Sequence, residues 1–452
     1  MTRFGVALGA AGAAIAIGLL AAWPSYVNRA VAASPPAPPR AVAAALPTVA
    51  PVAADYALRD RRIAFWERAA AQHQRGDMLS PSTLSAEYLQ RYRERGDVGD
   101  ALRALGAAQA SLRVQPRGNL SAETALGSAL LTLHRFRDAL AVTRDMERAA
   151  PGDPALRVRE ASLDLELGDY GAAKRIVDAF AHGTVADSAL DVQTLLVRWD
   201  ELTGHLDRAR LHFARTTAFA DAQYAAPAQE RAWFWFRSAE LAFEAGDVEA
   251  ARNDARTALA RFPNYSEANR VLARVDCALH RWRECLAAAR ASARVVPYPE
   301  VLGYEVDALR ALGDGVEATQ TDDLIAAVGR LGDAQHVMDR LLAVYDADHG
   351  VRPAEAYRLA RGELAARDDV FAEDTLAWCA AVDGHWDEAR AHARRAVRLG
   401  TENALLDYHA GVIALHAGDR DEARRRLRRA LARSPRFHAW YADDARRRLA
   451  RL

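Results

Sequence analysis

Only a few residues of this 452-residue chain have types and spacings that could support chemistry. The sequence has no glycine-rich phosphate loop, no serine nucleophile elbow, no HExxH zinc motif and no CxxC pair. Catalysis needs a nucleophile, an acid–base group or a bound metal in a fixed geometry. We therefore expect no enzymatic activity, no cofactor and no metal, and four weaker candidates remain.

Two of the three cysteines form the first candidate. Cys277 and Cys285 lie before and after His280 at similar distances, so an oxidising compartment could join them as a disulfide. The repeat pattern given below turns Cys285 into a helical hairpin and Cys277 away from it, and disulfide geometry is strict. A disulfide and two free thiols therefore both stay open. We expect Cys379 to be a buried small residue, the common fate of a free cysteine.

Two groups that contain histidine are candidates for a metal site. His409 and His416 are seven residues apart on one helix face, which is too far for a single ion, so we interpret them as polar groups on a helix flank. Asp346, Asp348 and His349 lie close together in the sequence, but they supply too few ligands for an ion. We interpret these three as a polar loop at the end of a helix.

An arginine-rich segment near the C-terminus is a candidate nucleic-acid surface. The whole chain has 60 basic and 60 acidic residues, so it has no net field that attracts a polyanion. Asp419, Asp421 and Glu422 precede the arginines, which indicates a solvated helix face with paired charges. We therefore expect no nucleic-acid partner. The segment contains Arg424, Arg425, Arg426, Arg428 and Arg429.

The elements that would position a site follow a regular repeat. One period of about 34 residues, which is typical of stacked helix–turn–helix units, separates Gly384 from Gly418. An alanine follows each of these glycines five residues later, because antiparallel helices approach closely only where bulk is absent. The turn position recurs at Gly96, His134, Gly168, Gly204, Gly246, His280, Gly384 and Gly418, and the small residue at Ala101, Ala139, Ala173, Ala209, Ala251, Cys285, Ala389 and Ala423.

The repeat predicts about ten helical hairpins. At two turns histidine replaces glycine, a substitution that costs little if the turn keeps ordinary helical dihedrals. Residues 299–367 have room for two degenerate units, and a polar capping helix over 438–449 would keep the array soluble. An entry helix is expected over 55–75. The degenerate units would pair 300–312 with 316–331 and 334–345 with 353–367.

The N-terminal region, which comprises residues 1–54, differs from the rest. Residues 1–33 contain an uncharged run that Pro24 ends, and small residues precede Ser34, as in an export signal cleaved there. The run is also about long enough to cross a bilayer, so a retained anchor is the alternative, and a cytosolic chain is the third. Residues 34–54 are rich in proline and alanine and predict an extended linker. We expect the region 55–452 to be exported, periplasmic or secreted, or held outside the cytoplasm by an inner-membrane anchor.

On these features the chain resembles the tetratricopeptide repeat family over Ile63–Leu449. More narrowly, it is similar to bacterial exported or membrane-anchored proteins with a signal or anchor, a linker and a long repeat array. Their C-terminal part reads much like DTLAW (374–378), RLGT (398–401) and YHAG (408–411) of this chain. The resemblance implies an all-α, right-handed superhelical solenoid of antiparallel helix pairs, with a protein or peptide bound on its concave face.

One predicted helix is apolar on two faces. Trp235 stands eleven residues before Gly246, where the family has its structural tryptophan, so we assign it to the core. Trp233, Phe236 and Phe243 form a second stripe, which the family's superhelix would turn, partly exposed, toward the groove; packing between repeats is the alternative. The predicted groove residues are Trp233, Phe236, Glu240, Phe243, Arg270, Arg274, Phe371, Trp378, Tyr408 and Val412.

The sequence therefore favours a non-enzymatic protein–protein interaction scaffold in the cell envelope, with a protein or peptide as its partner. The alternatives are an accessory subunit of an envelope enzyme or assembly complex, and a structural spacer. Contact with the membrane is expected only through the N-terminal segment, if that segment is not cleaved.

Overall fold

The computed structural model describes residues 52–72, 75–182, 189–223, 226–333 and 339–452, and every regular element in these ranges is an α-helix. The predicted signal or anchor at 1–33, and residues 34–51 of the predicted linker, lie outside the described residues. No helix in the described ranges is both long enough and apolar enough to cross a membrane. The helices are α1 (Val52–Ala71), α2 (Leu79–Arg95), α3 (Val98–Val114), α4 (Leu120–Thr132), α5 (Phe136–Ala149), α6 (Pro154–Leu167), α7 (Tyr170–Ala181), α8 (Leu190–Leu202), α9 (Leu206–Asp221), α10 (Ala228–Glu244), α11 (Val248–Arg261), α12 (Ser266–Ala278), α13 (Trp282–Ala293), α14 (Pro299–Leu312), α15 (Gly315–Asp333), α16 (Asp339–His349), α17 (Pro353–Ala366), α18 (Val370–Val382), α19 (Trp386–Ala396), α20 (Ala404–His416), α21 (Arg420–Arg433) and α22 (Tyr441–Arg451).

Within the described ranges these helices form ten consecutive antiparallel hairpins. Hairpin 1 is α2 with α3, and the pairing continues in order to hairpin 10, which is α20 with α21. Helices α1 and α22 stand alone at the two ends. The prediction of an all-α solenoid built from about ten helix pairs is therefore confirmed.

Small residues let the two helices of a hairpin approach closely. Ala389 in α19 and Ala423 in α21 are fully buried, and α20 begins at Ala404, one repeat period after α18 begins at Val370. The observed helices thus follow the predicted repeat phase. The equivalent small residues of six earlier hairpins are also fully buried: Ala101, Ala139, Ala173, Ala209, Ala251 and Cys285.

Some element boundaries differ from those expected. Helix α1 begins at Val52, inside the expected linker, and α22 begins at Tyr441 rather than at residue 438. Asp346, Asp348 and His349 belong to α16, so their interpretation as a loop is wrong. The helix extends this far because the buried Asp346 carboxylate is paired across the following turn with an arginine, at 2.5 Å.

The solenoid coils so tightly that its successive superhelical turns touch. The Asp368 N–H donates to the Leu167 carbonyl at 3.3 Å, and the Thr401 hydroxyl donates to the Leu202 carbonyl at 2.6 Å. The first contact joins the turn of hairpin 3 to the loop after hairpin 8, and the second joins the turn of hairpin 4 to the loop after hairpin 9. The turns of hairpins 1, 3, 4 and 5 each meet the loop that follows the fifth hairpin further along, a relation we call the turn–loop rule. The turn of hairpin 6 instead reaches Ala439, in the loop after hairpin 10.

These contacts explain the glycines at the turns. At Gly204 φ is 77°, a conformation that costs a residue with a side chain about 1–2 kcal/mol. A Cβ atom there would also lie 2.5 Å from the Gly400 carbonyl oxygen, closer than atomic contact allows. His134 and His280 have φ of 58° and 56°, so these turns do not keep ordinary helical dihedrals and the condition for a low-cost replacement of glycine is not met. At His280 a hydrogen bond offsets the cost of the left-handed conformation, because Nε2 lies 2.8 Å from the Ala439 carbonyl oxygen of the next superhelical turn.

Candidate functional site

The first helix of each hairpin lines the inner, concave side of the solenoid. First helices of neighbouring hairpins pack against one another, as α10 does with α12 and α12 with α14, while each second helix packs in its own hairpin and against the next first helix. The side on which neighbouring helices converge is the concave side of a solenoid. A ligand in the groove would therefore meet side chains of the first helices.

Ion pairs cross this inner face from one first helix to the next. Arg237 pairs with Glu201 at 3.2 Å and also with Glu240, and Arg270 pairs with Glu240 at 2.7 Å. These four side chains are buried, so each charge depends on its neighbours. We call the whole set the ion ladder; it comprises Arg198, Glu201, Arg237, Glu240, Glu267, Arg270 and Glu300.

Two central members of the ion ladder, Glu240 and Arg270, keep their charges despite burial. Burial alone would raise the pKa of Glu240, but Arg237 and Arg270 hold it below its ordinary value. Burial would likewise lower the pKa of Arg270, but Glu300, Glu267 and Glu240 raise it well above its ordinary value. Loss of one member would leave a partner buried and unpaired, so the ladder fixes the first helices relative to one another.

The predicted groove aromatics lie beneath this ladder instead of in an open groove. The exposed fractions of Trp233, Phe236 and Phe243 are 7%, 0% and 1%, so the expectation that they are partly exposed is wrong. The Arg270 guanidinium lies 5.4 Å from the centre of the Phe236 ring, and that of Arg274 lies 4.4 Å from the Phe243 ring. The sequence of α10 alone could not reveal that arginines of α12 cover its stripe.

Trp235, which we assigned to the core, is only half-buried at the edge of the hydrophobic cluster around α10. Trp233 and Phe234 lie inside that cluster, and both rings contact Phe213 of α9, with ring centres 6.3 and 5.8 Å apart. Helix α10 thus buries apolar residues on more than one face, which is typical of a helix packed between neighbours.

Three other predicted groove residues lie farther along the inner face, and all three are buried. Trp378 Nε1 donates to the Asp348 carboxylate at 2.8 Å, and the Tyr441 hydroxyl donates to the same carboxylate, also at 2.8 Å. Tyr408 stacks on the Tyr441 ring, with ring centres 4.5 Å apart, and Val412 packs in the same cluster. These side chains build the core between α16, α18, α20 and α22.

Phe371 is a predicted groove residue that remains half-buried. It lies at the start of α18, where the guanidiniums of Arg198 and Arg340 each lie 5.5 Å from its ring centre. Arg198 belongs to the first superhelical turn and Phe371 to the second. Phe371 therefore contributes to the packing between the two superhelical turns.

The histidine and aspartate candidates form pairs. His349 Nε2 lies 3.1 Å from Asp307 Oδ1. Burial lowers the pKa of His349, but Asp307, together with the Tyr345 carbonyl and Asp348, raises it above its ordinary value. His409 lies 2.9 Å from the Asp374 carboxylate, and His416 stacks on a tryptophan of α19 with ring centres 3.4 Å apart. Among the residues that the structure describes, no group of three His, Cys, Asp or Glu side chains could hold a metal ion.

The structure joins Cys277 and Cys285 by a disulfide across the turn of hairpin 6, with Cα atoms 5.1 Å apart. The sequence left a disulfide and two free thiols open, and the structure contains the disulfide. The close hairpin turn brings both sulfur atoms to the Tyr304 carbonyl oxygen, at 3.7 and 3.6 Å. Cys379 is buried, as expected, and burial raises the pKa of its thiol well above the ordinary value. A protonated thiol is a poor nucleophile.

Three polar side chains on the inner face stay partly exposed, and we call them the inner row. Glu244, Arg274 and Tyr304 lie on the consecutive first helices α10, α12 and α14. Arg274 pairs with Glu244 at 2.9 Å, and 20% and 18% of their side chains remain exposed. Of these three residues, only Arg274 was predicted from the sequence. Equal spacings separate the three positions along the chain, and that regularity is the signal that could have found the others.

The repeat architecture is clearest in the last two hairpins. Their turns at Gly384 and Gly418 share a left-handed conformation, with φ of 89° and 79°, and their helices begin at equivalent positions of the repeat. The chain has a tetratricopeptide-like helical-repeat fold. No known family model matches this repeat chain, and no curated protein is similar to it.

Three solved structures are similar to this repeat chain at low identity. The Cut9–Hcn1 hetero-tetramer of the APC/C is 11% identical, with 88% of this chain and 94% of that chain covered and a TM-score of 0.32. Yeast Tom70 is 12% identical, with the same coverage and a TM-score of 0.33. A tetratricopeptide repeat protein from Parabacteroides merdae is 14% identical, covers 57% of this chain and 98% of its own, and has a TM-score of 0.36. With scores this low, the assignment of the fold rests on the chain's own helix pairs.

Proposed function

We propose that the chain is a non-enzymatic interaction scaffold of the cell envelope and that its inner face binds an extended segment of a protein partner. The observation that carries the proposal is the inner row. Glu244, Arg274 and Tyr304 are partly exposed on three consecutive first helices, so a partner lying along the solenoid meets them one after another.

The chemistry of the inner row suits a polar ligand. The Arg274 guanidinium has five N–H donors, more than its pair with Glu244 can use. The Glu244 carboxylate accepts from Arg274 and from Asn403, and its two oxygens have lone pairs for a further donor. The Tyr304 hydroxyl donates to Glu300 at 2.7 Å and can also accept. An extended backbone presents N–H and C=O groups in alternation, so the row offers a partner for each.

The ion ladder makes the inner row rigid. Glu240 and Arg270 lie one helical turn before Glu244 and Arg274 on the same two helices, and their buried pair fixes the spacing of those helices. A surface fixed before binding loses less conformational freedom when a ligand arrives. The row is therefore suited to specific recognition by few contacts.

The pairing of reactive side chains supports a scaffold over an enzyme subunit. Asp348 accepts hydrogen bonds from Trp378 and Tyr441, and the Tyr408 hydroxyl donates to Asp444 at 2.8 Å. These groups hold helices together, so they are not free to exchange protons with a substrate.

Two features support an envelope location. Residues 1–33 have the pattern of an export signal or anchor, and a disulfide such as Cys277–Cys285 persists in oxidising compartments. Alkaline phosphatase fused after Pro51 should therefore be active in cells, and activity of a cytoplasmic reporter alone at that site would refute export. A mature N-terminus at Ser34 indicates a cleaved signal, and an intact N-terminus indicates an anchor.

Site-specific photocrosslinking in cells tests the inner-face proposal. The photoreactive amino acid benzoylphenylalanine replaces Tyr304 on the inner row or, as a control, Leu211. Leu211 is exposed on α9, in an outer cleft of about 400 Å³. We expect a protein to be captured from position 304 and not from position 211. Adding Arg274→Gln should weaken that capture at least about tenfold, equivalent to about 1.4 kcal/mol.

The outcomes separate the alternatives. Capture from Leu211 alone would place the binding surface on the outer cleft and contradict the proposal. No capture from either position would favour a structural spacer. Capture from position 304 that is insensitive to Arg274→Gln would mean that the inner row is not the recognition element.

A further inference from the structure

The two ends of the solenoid resemble the two halves of one hairpin. Helix α22 packs like a first helix, because Tyr441 stacks on Tyr408 of the preceding first helix α20. Helix α1 packs like a second helix against α2, and its Tyr56 contacts Phe262 after hairpin 5, with ring centres 5.5 Å apart. By the turn–loop rule, the loop after hairpin 5 is the loop that the turn of a hairpin before hairpin 1 would contact. In the described ranges, α1 therefore lacks a first helix and α22 a second helix.

The hairpin turns near the C-terminal end are open. A Cβ built on the turn glycines of hairpins 7 to 10 meets no atom within 4 Å, whereas a Cβ built on Gly96 in hairpin 1 would overlap Val296 in the loop after hairpin 6. The turn–loop rule gives these last turns no loop within the described chain. The open turn glycines are Gly313, Gly350, Gly384 and Gly418.

The connecting loops near the N-terminal end are open in the complementary way. Gly118 in the loop after hairpin 1 and Gly152 in the loop after hairpin 2 also have space for a Cβ atom with nothing within 4 Å. By the turn–loop rule, the first loop that receives a turn is the one after hairpin 5. The two earlier loops at Gly118 and Gly152 therefore receive no turn from the described part of the same chain. Among the residues that the structure describes, turns at one end and loops at the other thus have no docking partner.

Exposed apolar side chains flank one open turn and one open loop. Val316 next to the turn of hairpin 7 is 73% exposed, and Leu312 on the other side of that turn is exposed too. Leu120 next to the loop after hairpin 1 is 56% exposed, and Val114 at its other end is also exposed. At the docked turn of hairpin 1, by contrast, Val98 is buried.

We propose that a second copy of the chain binds head to tail and continues the solenoid. We count α22 of one copy and α1 of the second copy together as hairpin 11. Hairpin 1 of the second copy is then number 12 in the continued solenoid, which is the fifth hairpin after hairpin 7. The turn–loop rule then places the turn at Gly313 on the loop 115–119 of that copy. This register brings Leu312 and Val316 onto Val114 and Leu120. The rule was derived from contacts inside one chain and makes no use of these side chains, so the match singles out a second copy as the partner.

Such an interface is heterologous, because each copy uses a different surface at each end, and it permits chains of copies. This property gives the decisive experiment. In the full chain, Val316→Arg disables the turn surface and Leu120→Arg disables the loop surface. Each variant retains the surface that the other has lost. Both side chains are exposed, so neither change should alter thermal melting.

Sedimentation velocity over about 1–100 µM, a range that covers interfaces of modest affinity, measures the assembly. We expect the wild type to grow beyond a dimer with concentration and each variant to remain monomeric. An equimolar mixture of the two variants should form one-to-one dimers and nothing larger. The matched control Leu324→Arg, at a position 46% exposed on the same helix as Val316, should assemble like the wild type.

Several results would overturn the proposal. They are a wild type that stays monomeric throughout, a single variant that assembles like the wild type, and a mixture of folded variants that remains monomeric. Loss of assembly in Leu324→Arg would show that the contact surface lies on the outer face of α15 and would equally refute the proposed register. Because residues 1–33 are the same in every protein, association through that segment cannot produce the variant pattern.

Discussion

The contact between superhelical turns can be tested with two glycine-to-alanine changes that differ only in what the new methyl group meets. Gly204 in hairpin 4 and Gly384 in hairpin 9 both have left-handed backbones, with φ of 77° and 89°. Each change should cost about 1–2 kcal/mol of unfolding free energy for that conformation alone. At Gly384 the new Cβ meets nothing within 4 Å, so no further cost is expected.

At Gly204 the new Cβ would lie 2.5 Å from the Gly400 carbonyl oxygen, so the two superhelical turns must separate locally. Separation breaks the hydrogen bond from Thr401 to the Leu202 carbonyl and the one from the Leu206 N–H to the Glu402 carboxylate at 3.1 Å. Two lost hydrogen bonds with buried groups add about 2–4 kcal/mol. We therefore expect Gly204→Ala to cost about 3–6 kcal/mol in total.

Two measurements check this difference. Urea denaturation gives the unfolding free energy of each variant, and hydrogen exchange with mass spectrometry reports on the segments around residues 206 and 400. Gly204→Ala should speed exchange in both segments, although they lie on different superhelical turns, and Gly384→Ala should leave both unchanged. Equal costs for the two variants, or unchanged exchange in Gly204→Ala, would refute the docking of turns onto loops.

Three further predictions follow from the packing and the charges. Phe236→Ala should lower the unfolding free energy by about 3–5 kcal/mol because the ring is fully buried, and a loss below about 1 kcal/mol would contradict that burial. Ala389→Arg and Ala423→Arg should each destabilise by several kcal/mol, and unchanged thermal melting would mean that the repeat phase is wrong. The pKa of His349 is raised by Asp307, so its stabilising effect is complete below the ordinary histidine pKa of about 6.5 and is lost as pH rises through the raised value. His349→Gln should therefore cost more stability near pH 5.5 than near pH 9 in urea titrations, and an equal cost at both would refute the charged pair.

The hairpins were predictable because their signals are local. Gly384, Ala389 and their equivalents one period later mark a turn and a close helix contact, and both depend on residues only a few positions apart. The order of the helices and the burial of the small residues followed directly. Boundaries such as the start of α1 were less accurate, because they depend on packing against α2.

The exposure of the groove was mispredicted because it depends on contacts between helices. Phe236 is covered by Arg270, and Arg270 is held there by Glu240 and Glu300. The sequence does carry a sign of this arrangement, since Glu240, Arg270 and Glu300 alternate in charge at a constant sequence separation of 30. This separation is one helical turn shorter than the repeat, as expected for side chains that meet across neighbouring first helices. Residues one repeat period apart occupy equivalent positions in neighbouring hairpins. Residues at the shorter separation are the ones that contact each other across neighbouring first helices.

The contacts between superhelical turns also explain why charged residues line the inner face. Glu244 of α10 accepts a hydrogen bond from Asn403 of the second superhelical turn at 2.7 Å, and Arg198 lies against Phe371 of that turn. If only apolar side chains met between superhelical turns, one turn could shift along the other at little cost. A shift that leaves a buried charge without its partner is costly. The charges therefore fix the register between superhelical turns, and the turn–loop rule depends on that register. A second copy that extends the solenoid would have to satisfy the same polar contacts, which makes its binding specific.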